Sequence, residues 1–308
     1  MTMIDSAQMA GADRQVARPR SRKYTLIRYG LAAVGCLTLG VALFGHERFR
    51  AREIRQYSVA TPALAIASDA ATIARGEHLA KTVAGCAECH GADFGGKVMD
   101  SGAILQLTAP NLTRGRGSAV RELTDRDWIR AIISGVGRDG RSLITMPSKE
   151  LAGFSNADVA AIVAFFKTVP AVDRELPETL AKPLGRVVLG LANAPLFSAE
   201  KIDHVAPRAA APVAAVTPEY GAYLSTACRG CHGPDLRGGI VVHPGAPPSA
   251  DISSQKLAAW TFEEFQRALR EGKGRNGRVL DPAMPWGATR GLTDEELRAL
   301  WLGLRQTP

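Results

Sequence analysis

The pentapeptide Cys86-Ala87-Glu88-Cys89-His90 returns as Cys228-Arg229-Gly230-Cys231-His232, and much of the surrounding sequence returns with it. A chain patterned in this way is committed to two copies of one folding unit. Cys-x-x-Cys-His is the attachment signature of a c-type haem. On a helix, positions i, i+3 and i+4 share one face, so Cys86, Cys89 and His90 point the same way, as do Cys228, Cys231 and His232. The thiols are then placed for thioether bonds and each imidazole for an axial bond to iron. Two haem c groups are expected.

The repeat extends well beyond the motifs. Arg75-Gly76-Glu77-His78-Leu79 precedes the first and Glu219-Tyr220-Gly221-Ala222-Tyr223-Leu224 the second. Gly-Gly pairs follow at Gly95-Gly96 and Gly238-Gly239. Matched helix starts come next, at Thr124 with Asp127 and at Thr261 with Glu264, each a hydroxyl cap with an acid three residues on. Both helices end in glycine-rich loops, Gly135 to Arg141 and Gly272 to Arg278, whose Asp-Gly and Asn-Gly pairs suit tight turns. A second capped helix closes each copy. Val159, Ile162, Val163 and Phe166 form one apolar stripe, and Leu297, Leu300, Trp301 and Leu304 the other.

Haem iron in an electron carrier takes a second axial ligand, and methionine in that place raises the reduction potential. Met146 and Met284 occupy equivalent positions in the repeat, each directly before a proline. Proline fixes its own φ and pushes the preceding residue towards extended geometry, which suits a stiff loop carrying a thioether. These two are the expected sixth ligands. Met99 has no counterpart and follows His90 too soon to cross to the opposite haem face. His78, His204 and His243 are read as surface or satisfied histidines. A zinc reading of each Cys-x-x-Cys plus His lacks a local fourth ligand.

The formal charge of +8 is concentrated at the amino terminus. Residues 1–55 hold ten of the 38 bases and four of the 30 acids, so the rest carries 28 bases against 26 acids. That near balance argues against nucleic acid as a partner. Six of the ten bases precede Tyr29, where an uncharged run begins that lasts to Gly45. With Leu26, Ile27 and a snorkelling Arg28 the run reaches 20 residues, about the length that spans a bilayer core. No small-residue cleavage site follows; His46-Glu47-Arg48-Phe49-Arg50 does. Residues 1–25 are read as a cytoplasmic basic tail and 26–45 as an uncleaved signal anchor in the bacterial inner membrane, with the functional body in the periplasm. Haem attachment uses four of five cysteines and leaves Cys36 inside the apolar run.

Residues 70–308 resemble a tandem pair of cytochrome c domains. The stretch from Thr124 to Pro170, with Gly135-Val136-Gly137-Arg138-Asp139-Gly140-Arg141, Met146-Pro147 and Val169-Pro170, is similar to the cytochrome c subunits of membrane-bound alcohol, aldehyde and sugar-acid dehydrogenases. The run Ala109-Pro110-Asn111-Leu112 resembles the stretch of small cytochromes c in which the proline carbonyl accepts a hydrogen bond from the ligating imidazole. The resemblance implies that role for Pro110. In the second copy Asp251-Ile252 matches Asn111-Leu112, which sets Ala250 opposite Pro110 with Pro248 two places away, and leaves the second acceptor open.

The expected architecture is all-α: one transmembrane helix, a cytochrome c domain over 70–172, an Ala/Pro-rich linker over 173–216, and a second cytochrome c domain over 217–308. Leu184 to Leu196 is apolar enough to pack on a domain, so the linker is not expected to be free throughout. The expected function is electron transfer without substrate chemistry. Electrons come from a periplasmic or membrane dehydrogenase and leave to a cytochrome or terminal oxidase. The rivals are a dihaem enzyme of the peroxidase or thiosulfate-oxidising type, which needs an open iron site, and a haem subunit of a terminal oxidase.

Overall fold

The computed structural model describes residues 22–242 and 245–306. It divides into a segment ending at Phe44 and a compact body from Gly45 onward. Helix α1 (Arg22–Glu53) begins in the first segment. Leu26, Leu31, Leu37 and Phe44 are all exposed, and with a mean hydropathy of 1.8 the helix is long and apolar enough to cross a membrane. A helix that is apolar all round requires apolar surroundings. The expected span, 26–45, lies inside this longer helix.

In the body, α2 (Ala70–His78) starts at Asp69, whose carboxylate accepts the Thr72 N–H at 2.9 Å. A π-type turn, Leu79–Val83, and Gly85 at φ 60° lead into α3 (Cys86–His90). Strands β1 (Lys97–Ser101) and β2 (Leu105–Ala109) form an antiparallel pair with a register irregularity between Val98 and Asp100. Then follow α4 (Asp125–Ser134), the one-turn α5 (Ser148–Leu151) and α6 (Asn156–Phe166). Strand β3 (Leu180–Ala181) adds to the free edge of β2, giving the order β1-β2-β3. Helix α7 (Pro183–Leu191) comes next. The second copy consists of α8 (Pro218–Leu224), α9 (Arg229–His232), α10 (Ser254–Leu257), α11 (Phe262–Glu271), α12 (Trp286–Thr289) and α13 (Asp294–Gln306).

The fold is mostly helical with little strand, and the small sheet belongs to the first copy and the connecting segment. Both anticipated caps form. Thr124 Oγ1 accepts the Asp127 N–H at 3.2 Å while Asp127 accepts the Thr124 N–H at 3.0 Å, and Thr261 with Glu264 repeats the arrangement. Gly135 and Gly272, at φ 63° and 67°, close the two helices in the left-handed conformation that favours glycine.

In each copy the first helix crosses the last at a glycine. A methyl group on Gly76 would sit 1.9 Å from the Ala161 carbonyl oxygen, and one on Gly221 would sit 1.8 Å from that of Ala299. The two copies pack into one body with one continuous core. Leu79, Phe94, Ile129 and Ile162 from the first join Tyr223, Leu236, Phe265 and Leu297 from the second. Each such fully buried side chain contributes on the order of 1.5–3 kcal/mol.

The segment over 173–216 is held along much of its length. Phe197 packs on Phe49 with ring centroids 5.5 Å apart, and Arg186 pairs with Glu53 at 2.8 Å. Arg208 reaches the carbonyls of Ala152 and Phe154.

Candidate haem sites

The short helix carrying each motif ends in a glycine whose left-handed φ other residues resist, Gly91 at 82° and Gly233 at 83°. The chain then turns back under the helix in the same way twice. The Gly96 N–H donates to the His90 carbonyl at 2.7 Å, and Gly238 to His232 at 2.8 Å. Phe94 and Leu236 both sit at positive φ, and each carbonyl accepts the N–H of the matching residue in the returning segment, Leu112 or Ile252, at 2.9 Å.

That returning segment delivers a carbonyl to each imidazole. His90 Nδ1 lies 2.8 Å from the Pro110 oxygen, and His232 Nδ1 lies 2.7 Å from the Ala250 oxygen. A carbonyl can only accept, so Nδ1 carries the proton in both rings and Nε2 keeps its lone pair for a metal. Burial pushes both imidazoles down in pKa against the opposing effect of these hydrogen bonds, which favours the neutral ligand form. The acceptor left open in the second copy is the Ala250 carbonyl. A backbone oxygen needs no particular side chain above it, so the change from proline to alanine preserves the contact.

Side chains missed in the sequence brace these carbonyls. Buried Asn111 donates to the Val172 carbonyl at 2.7 Å and accepts from Thr113, pinning the residue after Pro110. In the second copy Ser249 donates to the Cys231 carbonyl at 2.7 Å and Asp251 accepts the Ser253 N–H at 2.9 Å. The signal for both was the Asx residue that follows each acceptor.

None of the four motif cysteines pairs with another cysteine in a disulfide. Burial pushes the Cys86 thiol up to about 12 and the Cys228 thiol up to about 11, as expected of sulfurs turned into an apolar site. Among the described residues no three His, Cys, Asp or Glu side chains converge as they would around a single metal ion. Two thiols and an imidazole on one helical face, with the tautomer fixed from behind, suit a macrocycle held at three points. The donor set fits haem c.

Met146 and Met284 are half-buried against the core that also receives Cys86 and Cys228. Pro147 and Pro285, at φ −78° and −79°, begin α5 and α12. The Met146 carbonyl is held by the Ser198 hydroxyl at 2.7 Å and the Ser148 N–H at 2.8 Å. Met284 donates its N–H to the Asp281 carbonyl at 2.9 Å and accepts from Trp286 at 2.8 Å. The other candidates are engaged elsewhere. His78 Nε2 lies 2.8 Å from Glu296, His204 Nε2 lies 3.0 Å from the Ala199 carbonyl, and Met99 is exposed on β1. His243 falls outside the described residues.

The two motifs are neighbours. The one-turn helix after each methionine rests on the opposite copy: α5 on α9, and α12 on the turn before α3. Burial pushes the Cys231 thiol up, reinforced by Glu150 of α5 and by Cys89 of the other motif.

Paired Cys-x-x-Cys-His helices, imidazoles backed by carbonyls and surrounding helical units define a tandem cytochrome c. Residues 71–166 match the family described as "Cytochrome C oxidase, cbb3-type, subunit III", and residues 219–306 the family "Cytochrome c". Both copies are therefore cytochrome c domains, and such domains imply haem c.

The chain is similar to the fructose dehydrogenase cytochrome subunit of Gluconobacter japonicus, 37% identical over 93 residues covering 26% of this chain and 19% of that protein. It is similar to the gluconate 2-dehydrogenase cytochrome c subunit of Pantoea cypripedii, 33% identical over 95 residues covering 26% and 21%. A longer match joins it to the cytochrome c subunit of the quinone alcohol dehydrogenase of Gluconobacter oxydans, 24% identical over 277 residues covering 78% and 56%. The chain thus spans about half the length, or less, of the curated relatives it matches.

Proposed function

We propose that this chain is a membrane-anchored dihaem cytochrome c that relays single electrons from a dehydrogenase to a respiratory acceptor. Cys86 and Cys89 would tether one haem and Cys228 and Cys231 the other. His90 with Met146, and His232 with Met284, would be the axial ligands, with the Pro110 and Ala250 carbonyls fixing the imidazoles. Each haem supplies a one-electron Fe(III)/Fe(II) couple, and the protein supplies burial, orientation and axial donors. The observation that carries the reading is the duplication: two imidazoles held in the ligating tautomer on neighbouring attachment helices. A pair of centres so arranged makes a relay.

The relatives named as dehydrogenase cytochrome subunits support a dehydrogenase as donor. The acceptor would be a cytochrome or a terminal oxidase, and the body would lie in the periplasm at the inner membrane. The match of residues 71–166 to an oxidase subunit family favours a second reading, a haem subunit of a terminal oxidase. Purifying the tagged full chain from membranes with mild detergent separates the two. A dehydrogenase subunit recovered in stoichiometric amount supports the first, and recovery with a haem–copper oxidase core supports the second. Two covalent haems per chain by mass are expected in either case. Ready uptake of cyanide by either haem would contradict a pure carrier.

A further inference from the structure

Helix α7 presents an apolar stripe that the described body leaves partly exposed. Leu184, Val188 and Leu191, at i, i+4 and i+7, share one face and are 60%, 40% and 40% exposed. The opposite side is used. Gly185 and Gly190 are buried, and Arg186 reaches back to Glu53 at 2.8 Å and 3.0 Å. Leu180 and Ile104 near the helix start are exposed as well, and the Ile104 carbonyl accepts the Lys182 N–H at 2.9 Å.

The position of α7 indicates what covers this stripe. Its carboxyl-terminal turn lies directly on Gly45, the last residue of the uncharged run. A methyl group on Gly190 would sit 1.9 Å from the Gly45 carbonyl oxygen, and one on Gly45 would sit 2.8 Å from Leu191 Cγ. Leu191, the end of the exposed stripe, therefore packs beside the residue where the apolar run stops and charged sequence begins. Exposed Arg48 and Arg50 follow at once. An apolar helical face packed beside the residue where the uncharged run stops, with basic residues next along α1, has the composition of an interfacial membrane helix.

We propose that α7 lies in the membrane interface, with Leu184, Val188 and Leu191 inserted among acyl chains. The proposal rests on the reading of α1 as an anchor. With α1 alone, the body would be free to swivel about one helix. A second contact fixes its orientation, and so fixes which side of the haem pair faces other proteins in the membrane.

The test uses the full haem-loaded chain in liposomes of phosphatidylethanolamine and phosphatidylglycerol doped with a phospholipid carrying a diazirine in its acyl chain. After illumination and digestion, lipid adducts are mapped by mass spectrometry. Adducts are expected in residues 26–45 and also in residues 180–192. In Leu184→Glu/Val188→Glu the second set should be lost and the first retained, with haem content unchanged. Adducts confined to 26–45 in the unsubstituted chain would overturn the proposal while leaving the anchor intact. Absence of adducts from 26–45 would overturn the anchor reading and this proposal with it. A double substitution that fails to load haem leaves the map of the unsubstituted chain decisive. In native membranes, diazirine transfer from a lysine-reactive probe on the protein that joins 180–192 to another polypeptide, with no lipid adducts there, would assign the stripe to a protein partner and sink the lipid assignment.

Discussion

The two cytochrome c units share a scaffold down to individual turns, yet they hold on to each other through different chemistry. Gly76 corresponds to Gly221, so Arg75 and His78 of the first unit stand where the second has Tyr220 and Tyr223. Likewise Asp158 and Glu296 each sit three residues after the cap of the closing helix, Ser155 or Thr293. Each unit's first helix reaches into the other unit's cap. His78 bonds Glu296 at 2.8 Å, while Tyr223 donates to Asp158 at 2.5 Å. Glu296 is long enough to accept its own cap N–H from Thr293 at 3.0 Å. Asp158 spends its oxygens on Arg75 and Tyr223 instead, and the Ser155 N–H is taken by the Tyr223 hydroxyl at 2.9 Å. One capping box is thus completed within its unit and the other by its neighbour. Arg75 binds Asp158 at 3.0 Å and stands 3.7 Å from Glu296, tying the two acids together. A duplicated fold keeps what the cofactor needs and diverges where the copies meet.

The strongest test of the shared scaffold is at the helix crossings. Gly76→Ala and Gly221→Ala each force a methyl group into a backbone oxygen, so each should cost more than about 3 kcal/mol in urea denaturation followed by circular dichroism. Equal losses would show that the units depend on the same crossing. A loss at only one would break the equivalence.

The next largest effects should be unequal. Asp158→Asn leaves the Arg75 guanidinium, which cannot shed its charge, without its main partner, and about 3 kcal/mol should be lost. Glu296→Gln keeps the cap contact and leaves Arg75 its closer partner Asp158, so about 1 kcal/mol is expected.

A pH series sharpens the same contrast. Burial raises the Tyr223 phenol, with help from its bond to Asp158, to about 12 from an unfolded value of 10.0. Its contribution is therefore full below pH 10 and lost as pH rises through about 12. Burial alone would raise Glu296, but the His78 hydrogen bond, the Thr293 N–H and the Arg75 charge outweigh it and hold the carboxyl below 4.5. Its contribution is present above pH 4.5 and lost as pH falls through the folded value. Tyr223→Phe should reduce the alkaline component, leaving the part due to Tyr220, whose phenol burial also raises, and should leave the acid one in place.

Much of this was legible in the sequence because it is local. The motifs, the caps at Thr124 and Thr261, the left-handed glycines and the Met-Pro pairs each depend on a few adjacent residues. The contacts between units were not, since nothing near Tyr223 announces Asp158, 65 residues earlier. The sheet escaped notice because β2 pairs with β3 across Ala181, inside a stretch whose alanines and prolines read as linker. Its anchors are long-range: the Thr179 hydroxyl on the Thr108 carbonyl at 3.0 Å, and Arg208 on the end of α5. Ala250 lacked a recognisable side chain, although its alignment with Pro110 was visible. What matters there is a carbonyl position that only the fold reveals.

The central claim, two unequal haems each ligated by its own histidine and methionine, is tested most directly by a spectroscopic redox titration of the full chain beside Met146→His and Met284→His. The unsubstituted protein should show two one-electron transitions. Each substitution should lower one of them, by on the order of 0.2 V within the range of about 0.8 V that axial ligation spans, and leave the other nearly in place. Midpoints and spectra unchanged in both variants, or a single substitution that moves both transitions equally, would contradict it.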